Sequence, residues 1–275
     1  MPALAGQELD DQAAAVAELR AFGELGGGTV VQWTPYGLGR RGDVLAAVSE
    51  AAGVHVIAAT GLHQAQQYDP AVIERIQDRL AEVFVTELTE GLPGNGPKAG
   101  MIKVAGGFHG LDDYTRRVMT AAAEAHHASG ATIGVHLELG TAALDVVDLL
   151  CTRLKVSADR VILGHLNRSP DQRMHREAAE SGVFLAFDGP SRANHATDWR
   201  LLDVLAALVE GGHEDQLLLG GDTTTAAARA ATGGGPGIPY LLRTLRPRLE
   251  REVGPDATAK AFVDNPARAF SWVTP

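Results

Sequence analysis

Seven short apolar runs alternate with helix-like stretches along the chain, and this beat constrains the fold more than any other feature. The runs are Thr29–Thr34, Val54–Thr60, Gly100–Ala105, Ala131–Leu137, Arg160–Leu166, Val183–Asp188 and Gln216–Asp222. They are apolar nearly throughout, the pattern of strands covered on both faces. Helical spacing predicts helices over 9–22, Asp43–Ala52, Pro70–Leu88, Asp112–Ala128, Thr141–Leu154, Asp171–Ser181 and Thr197–Glu210. Two more are expected around Pro239–Arg251 and Pro266–Phe270, the latter with Asn265 as its cap. Strand-then-helix repetition points to parallel βα units. A closed barrel of this kind needs eight strands. The doubly wound alternative would place a Gly-x-Gly-x-x-Gly turn after an early strand, and Gly37-Leu38-Gly39-Arg40-Arg41-Gly42 has that spacing, but polar residues recurring at strand ends over most of the chain favour the barrel. The expectation is therefore an α/β chain forming a (β/α)8 TIM-like barrel, incomplete, with seven visible strands. No charge block, repeat or linker divides the 275 residues, so one domain over 1–275 is expected.

Four of these runs end on a polar residue able to do chemistry. Lys103 ends Met101-Ile102-Lys103, His136 ends Ile133-Gly134-Val135-His136, His165 ends Val161-Ile162-Leu163-Gly164-His165, and Asp222 ends Leu217-Leu218-Leu219-Gly220-Gly221-Asp222. Strand ends of a parallel barrel converge on one face, where such folds place their active sites. Imidazoles and a carboxylate are ordinary ligands for zinc and similar ions. Taken singly, each has a bland reading: a strand-end histidine is often a hydrogen-bonded core residue, and a strand lysine often pairs with a carboxylate. The argument rests on the four together.

Composition removes other classes. A net charge of −10 opposes a nucleic-acid surface, which needs clustered Lys and Arg. No apolar run approaches the ~18 residues of a membrane span, and the first residues, Met1-Pro2-Ala3-Leu4-Ala5-Gly6-Gln7, do not read as a secretory signal. A cytoplasmic location is expected. The single cysteine, Cys151, sits in the apolar stretch Val146–Cys151 and reads as structural rather than nucleophilic.

At several segments the chain resembles the phosphotriesterase family of the amidohydrolase superfamily. They are Thr34-Pro35-Tyr36-Gly37-Leu38-Gly39-Arg40, Ala59-Thr60-Gly61-Leu62, Gly100–Lys103, Val135-His136-Leu137-Glu138-Leu139-Gly140-Thr141, Gly164-His165-Leu166-Asn167-Arg168, Leu218–Asp222 and Asn265-Pro266-Ala267-Arg268. They run in family order from about residue 9 onward. The resemblance implies a divalent-metal site, zinc first among candidates, with one or two ions. Lys103 would be a carboxylated lysine bridging them, and His136 and His165 would hold one ion. Asp222 would bind the other and take the proton from the attacking hydroxide. The family carries a His-x-His pair on its first strand, and no His-x-His occurs in this chain. The expectation is that this strand lies upstream of Met1 or that the protein lacks it.

Other residues follow with less force. His63 and His109 follow the second and third runs, near the expected upper face; each reads first as a loop histidine and second as a replacement ligand. His55, His126, His127, His175 and His213 read as structural. Trp33 and Tyr36 either line a substrate pocket or pack in the barrel. Arg192, in Phe187-Asp188-Gly189-Pro190-Ser191-Arg192, and Arg229 are candidate grips for an anionic substrate group, or solvated loop charges. Asn194 and His195 stand where some relatives carry a phosphate-gripping basic residue. The loop Gly233-Gly234-Gly235-Pro236-Gly237 is a flexible connection or a lid. The functional expectation is a metal-dependent hydrolase of a small-molecule ester, lactone or organophosphate. The alternatives are a Schiff-base lyase using Lys103, or a binding protein with a relic site. An open barrel edge also makes a homodimer plausible.

Overall fold

Aliphatic and β-branched side chains fill both sides of a covered sheet, and the apolar runs form strands accordingly. The computed structural model describes residues 9–188 and 200–273. Its strands are β1 Thr29–Gln32, β2 His55–Thr60, β3 Met101–Ala105, β4 Ile133–His136, β5 Val161–Gly164, β6 Phe184–Phe187 and β7 Leu217–Leu219. Each pairs in parallel with the next in chain order, giving one seven-stranded sheet curled into a half-barrel. Registers such as Lys103↔Gly134 and His136↔Gly164 align the strand ends at one mouth. β1 and β7 are the two edges of the curl.

Period-two alternation sorts the strand residues into two layers. Ile102, Val104, Ile133, Val135, Val161, Leu163, Leu185, Phe187 and Leu217 join the large core beneath the helices. Ile162, Phe184, Ala186 and Leu218 line the inside instead, packed with Trp33, Ala269 and Phe270. Inside the curl, glycine is required by crowding. A Cβ on Gly164 would lie 2.8 Å from Trp33 Cζ3, and one on Gly134 would lie 2.5 Å from Met101 Cε and 3.1 Å from Trp33 Cζ2. The indole therefore forms a floor across β4 and β5.

Before β7 the α-helices among the described residues are α1 Gln12–Gly23, α2 Gly42–Ala52, α3 Pro70–Glu74, α4 Leu80–Thr89, α5 Asp113–Ser129, α6 Ala143–Val147, α7 Gln172–Glu180 and α8 Leu201–Glu210. Aspartate side chains cap several: Asp11 accepts from Ala14 N at 3.0 Å and Asp112 from Thr115 N at 2.8 Å. The predicted helix Pro70–Leu88 is two helices. The chain leaves helical geometry at Arg79 (φ −142°), which lets Ile76 and Leu80 both enter the core, so packing overrides an unbroken period. The stretch Thr141–Leu154 also divides, into α6 and a wider π turn over Asp148–Arg153. Asn265 is not a cap. It lies within a continuous helical path from Pro255 to Ala269, and its Nδ2 donates to Glu214 O at 2.7 Å and Leu217 O at 2.9 Å. It thereby pins this tail to the start of β7.

The tail then crosses the far end of the barrel. Thr132 Oγ1 donates to Ala269 O (2.6 Å), Arg160 Nη1 to Ser271 O (2.7 Å) and Trp272 Nε1 to Gly100 O (2.8 Å). At the mouth, Arg40 donates to Ala59 O at 3.2 Å and to Glu87 Oε2 at 2.7 Å, while Thr60 Oγ1 donates to Glu87 at 2.6 Å. This buried group ties the loop after β1 to β2 and α4. No helix among the described residues is long and apolar enough to cross a membrane.

Candidate metal centre

Strand periodicity alone carries Lys103, His136 and Asp188 to the inner face, two residues beyond Met101, Gly134 and Ala186 respectively. His165 needs something more. It directly follows inward-facing Gly164, so a continued strand would turn it outward. Its backbone instead enters the left-handed region at φ 65°, and the ring meets Asp188. Asp222 also has positive φ, 43°. Such geometry costs a non-glycine residue about 1–2 kcal/mol and is concentrated at functional sites.

The four strand-end residues come together. The rings of His136 and His165 lie 4.5 Å apart, centre to centre. Ligand atoms of His165, Asp188 and Asp222 all fall within 4.8 Å of one another. Lys103 is 4% exposed. Burial pushes its amine from the ordinary 10.5 down to about 7, against the opposing pull of the Asp222 carboxylate. Desolvation drives His136 strongly downward, with the charges of His165, Lys103, His63 and Arg168 adding.

The set suits a divalent ion. Asp188 Oδ1 lies 2.5 Å from His165 Nδ1, and its Oδ2 accepts the His165 amide at 3.0 Å, which leaves the Nε2 lone pair for a cation. Glu138 Oε2 lies 3.2 Å from His136 Nε2, which leaves Nδ1. A carboxylate behind each imidazole is the usual support of metal-binding histidines, because it fixes ring and tautomer. A neutral lysine amine is also the form that can take up carbon dioxide to become an anionic oxygen donor. Asp222 pairs with Arg168 Nη2, so the acid is shared between a guanidinium and the cluster.

His63 is a further member. Its ring lies 4.5 Å from that of His136. The Gln64 amide donates to its Nδ1 at 2.8 Å, so the neutral ring carries its proton on Nε2 and offers a donor rather than a lone pair. Burial, with Lys103 and His165 adding, pushes its pKa down to about 2. Tyr68 Oη accepts the His63 amide at 2.8 Å, and Tyr114 Oη donates to its carbonyl at 3.0 Å. Gln64 Nε2 donates to Gly106 O (2.8 Å) and Glu138 Oε2 (3.1 Å), which links the loops after β2, β3 and β4.

The remaining candidates are placed elsewhere. The His109 ring meets that of exposed Phe108 edge-on, with centres 4.1 Å apart. His126 and His127 bond to Ala131 O and Leu154 O, His175 bonds to Leu166 O, and His55 is exposed. Trp33 packs into the floor. Tyr36 packs on the main core, with the Arg40 guanidinium 5.5 Å from its ring centre. Arg229 Nη2 donates to Leu9 O at 3.4 Å, among the acids Glu18, Asp11 and Asp10. Arg192, Asn194 and His195 lie outside the described residues. Burial pushes the Cys151 thiol up to about 11, which suits an inert role.

The sequence reading passed over Asp188, Glu138 and Arg168. Asp188 ends an apolar run just as the four ligand candidates do, so the same rule would have found it. Glu138 and Arg168 lie two and three residues past a candidate histidine, in the tight turns Glu138–Gly140 and Leu166–Arg168, where the strand has ended and its period no longer places side chains.

A model described as the phosphotriesterase family matches residues 2–270. A phospho-furanose lactonase from Mycoplasmopsis synoviae is 33% identical over 220 residues, covering 72% of this chain and 61% of that protein. The match thus spans about three-fifths of that relative's length. Among solved structures, a lactonase from Listeria monocytogenes superposes with a TM-score of 0.92 at 29% identity, over 98% of this chain and 89% of the other. The phosphotriesterase homology protein of Escherichia coli, solved with phosphate in its active site, gives 0.90 at 27% identity, over 96% and 91%.

Proposed function

The chain belongs to the phosphotriesterase family, and on that premise we propose that it is a divalent-metal-dependent hydrolase of a small ester, lactone or phosphotriester. The observation that carries this reading is the meeting of His136, His165, Lys103 and Asp222 at one mouth, each delivered by a different strand end. A bound ion, zinc being the first to test, would supply Lewis acidity toward the attacked oxygen and a more acidic water.

The chain's own groups do the rest. Glu138 and Asp188 hold the two imidazoles in fixed tautomers. Asp222 is the base for the proton of the attacking water, with Arg168 beside it to stabilise the carboxylate. Lys103, as neutral amine or carbamate, closes the inner side. His63 offers an Nε2 proton to oxygen that gains charge during attack. Lactones come first in the substrate panel because relatives and a structural neighbour are named lactonases.

The test is elemental analysis of purified protein together with a panel of lactones, aryl esters and phosphotriesters. About one or two ions per chain are expected. Turnover should vanish on chelation and return with zinc, cobalt or manganese. Full turnover by ion-free protein would overturn the reading. Borohydride trapping of a carbonyl substrate on Lys103 would replace it with Schiff-base chemistry. Sedimentation at micromolar concentration tests the expected homodimer, and a monomer there refutes it.

A further inference from the structure

Arg168 sits three residues past His165, on a tight turn over Leu166–Arg168. Its Nη2 bonds the Asp222 carboxylate, and the pair is largely buried, with side chains 12% and 16% exposed. The Nε of the same guanidinium is buried with no hydrogen-bond partner among the described residues. An unsatisfied buried donor is costly, the more so on a charged group, and native structures seldom keep one without a use. Arg168 is also close enough to His136 for its charge to act on that ring. The Asp222 carboxylate it holds lies within the His165–Asp188–Asp222 cluster. Nε–H lies on the same edge of the guanidinium as Nη2, so it faces the side on which Asp222 lies.

We propose that Arg168 is the anion-binding residue of the site, its Nε–H receiving an oxyanion such as a phosphate or carboxylate group while Nη2 stays on Asp222. This deepens the hydrolase reading and rests on it for the ion: with Lys103 neutral, a dication and the Arg168 guanidinium balance the carboxylates of Asp222, Asp188 and Glu138, so an incoming anion meets no net negative charge. Guanidinium suits the task because its donors lie fixed in a plane that matches oxyanion geometry. An oxyanion there would satisfy the orphaned donor and fix the substrate's orientation. The ligand class is an anionic ester or lactone, or the free anion itself.

The experiment is calorimetric titration of inorganic phosphate into the zinc-loaded protein, comparing wild type with Arg168→Lys and Arg168→Gln. Lysine keeps a cation for Asp222 but lacks the Nε–H, so it removes the proposed contact selectively. Thermal melts and zinc content establish that each variant is folded and loaded. The expected result is a loss of phosphate affinity of about 10-fold or more in Arg168→Lys, with a larger loss in Arg168→Gln. Equal affinity in wild type and Arg168→Lys overturns the proposal, because the anion would then be held by the ion alone. Absence of phosphate binding to wild type at millimolar concentration overturns it too. A wild-type preference for a phosphorylated lactone over its unphosphorylated parent, lost in Arg168→Lys, assigns the anion to the substrate. Phosphate binding without that preference assigns the contact to the free ion. The titration needs no turnover, so a chain inert on every ester and lactone would refute the hydrolase reading without deciding this one.

Discussion

The inside of the half-barrel holds two layers built by the same strands, and they follow opposite rules. The floor is apolar and filled by size: Trp33, Ile162, Phe184, Ala186 and Leu218 interlock, and Gly134 and Gly164 are small because the indole lies on them. The mouth, one or two residues further along those strands, is polar and filled by partnership. The imidazoles of His136 and His165 each have a carboxylate, each strand-end acid has a donor, and two residues adopt left-handed backbone to join. Damage to the floor should therefore appear as lost stability, and damage to the mouth as lost ion and lost turnover.

The largest effect should come from the mouth. His165→Ala is expected to lower ion affinity by more than the roughly 10–100-fold typical of losing a supporting carboxylate, with turnover falling in step, as read by elemental analysis and kinetics. Asp188→Asn should fall within that 10–100-fold range. Retained ion in His165→Ala would dissolve the contrast between the layers.

Next comes the floor. Gly164→Val drives a Cβ to within 2.8 Å of Trp33 Cζ3, and overpacking of this kind costs about 1–3 kcal/mol. Urea unfolding should show the loss, and adding Trp33→Leu should recover part of it. A Gly164→Val protein of unchanged stability would mean that the indole is not fixed there.

His63 sharpens the comparison, because it borders the ligand histidines without offering them a lone pair. His63→Ala should keep its ion and lose turnover by about 10-fold (~1.4 kcal/mol of barrier), and His63→Gln, which restores an N–H donor, should recover part of that. Loss of the ion in His63→Ala would instead make it a ligand.

The smallest effect concerns a histidine under the site. His175 is fully buried, its Nε2 lies 3.0 Å from Leu166 O, and its Nδ1 has no partner among the described residues. Desolvation holds its folded pKa below the ordinary 6.5, outweighing the bond to Leu166. The unfolded chain then binds the extra proton first as pH falls. Stability from this group is intact above pH 6.5 and declines below it, by at most about 1.4 kcal/mol per pH unit. Comparing wild type with His175→Gln by melts across pH 5 to 7 isolates this slope. Identical pH profiles would remove the group from the acid response.

Much of this was legible in advance, and particular residues show why. Lys103 and His136 are found by counting in twos along apolar runs, since a strand's side-chain period is fixed by its own backbone. All seven runs became strands, and their ends did converge. His165 shows the limit of that counting: its parity points outward, and only a left-handed turn brings it in. The break between α3 and α4, like the use of Asn265 as a tether to β7, depends on neighbours distant in sequence. Trp33 could be read equally as pocket or packing until Gly134 and Gly164 were seen beneath it.

By itself, then, the sequence determined the parallel βα order and the polar punctuation of its strand ends, because hydrophobic periodicity is a local property written residue by residue. Only the tertiary structure decided which nitrogen of each histidine is engaged, which acid Arg168 holds and which inner positions must be glycine. Those choices are made by groups tens of residues apart, through hydrogen-bond direction and excluded volume that no local pattern encodes.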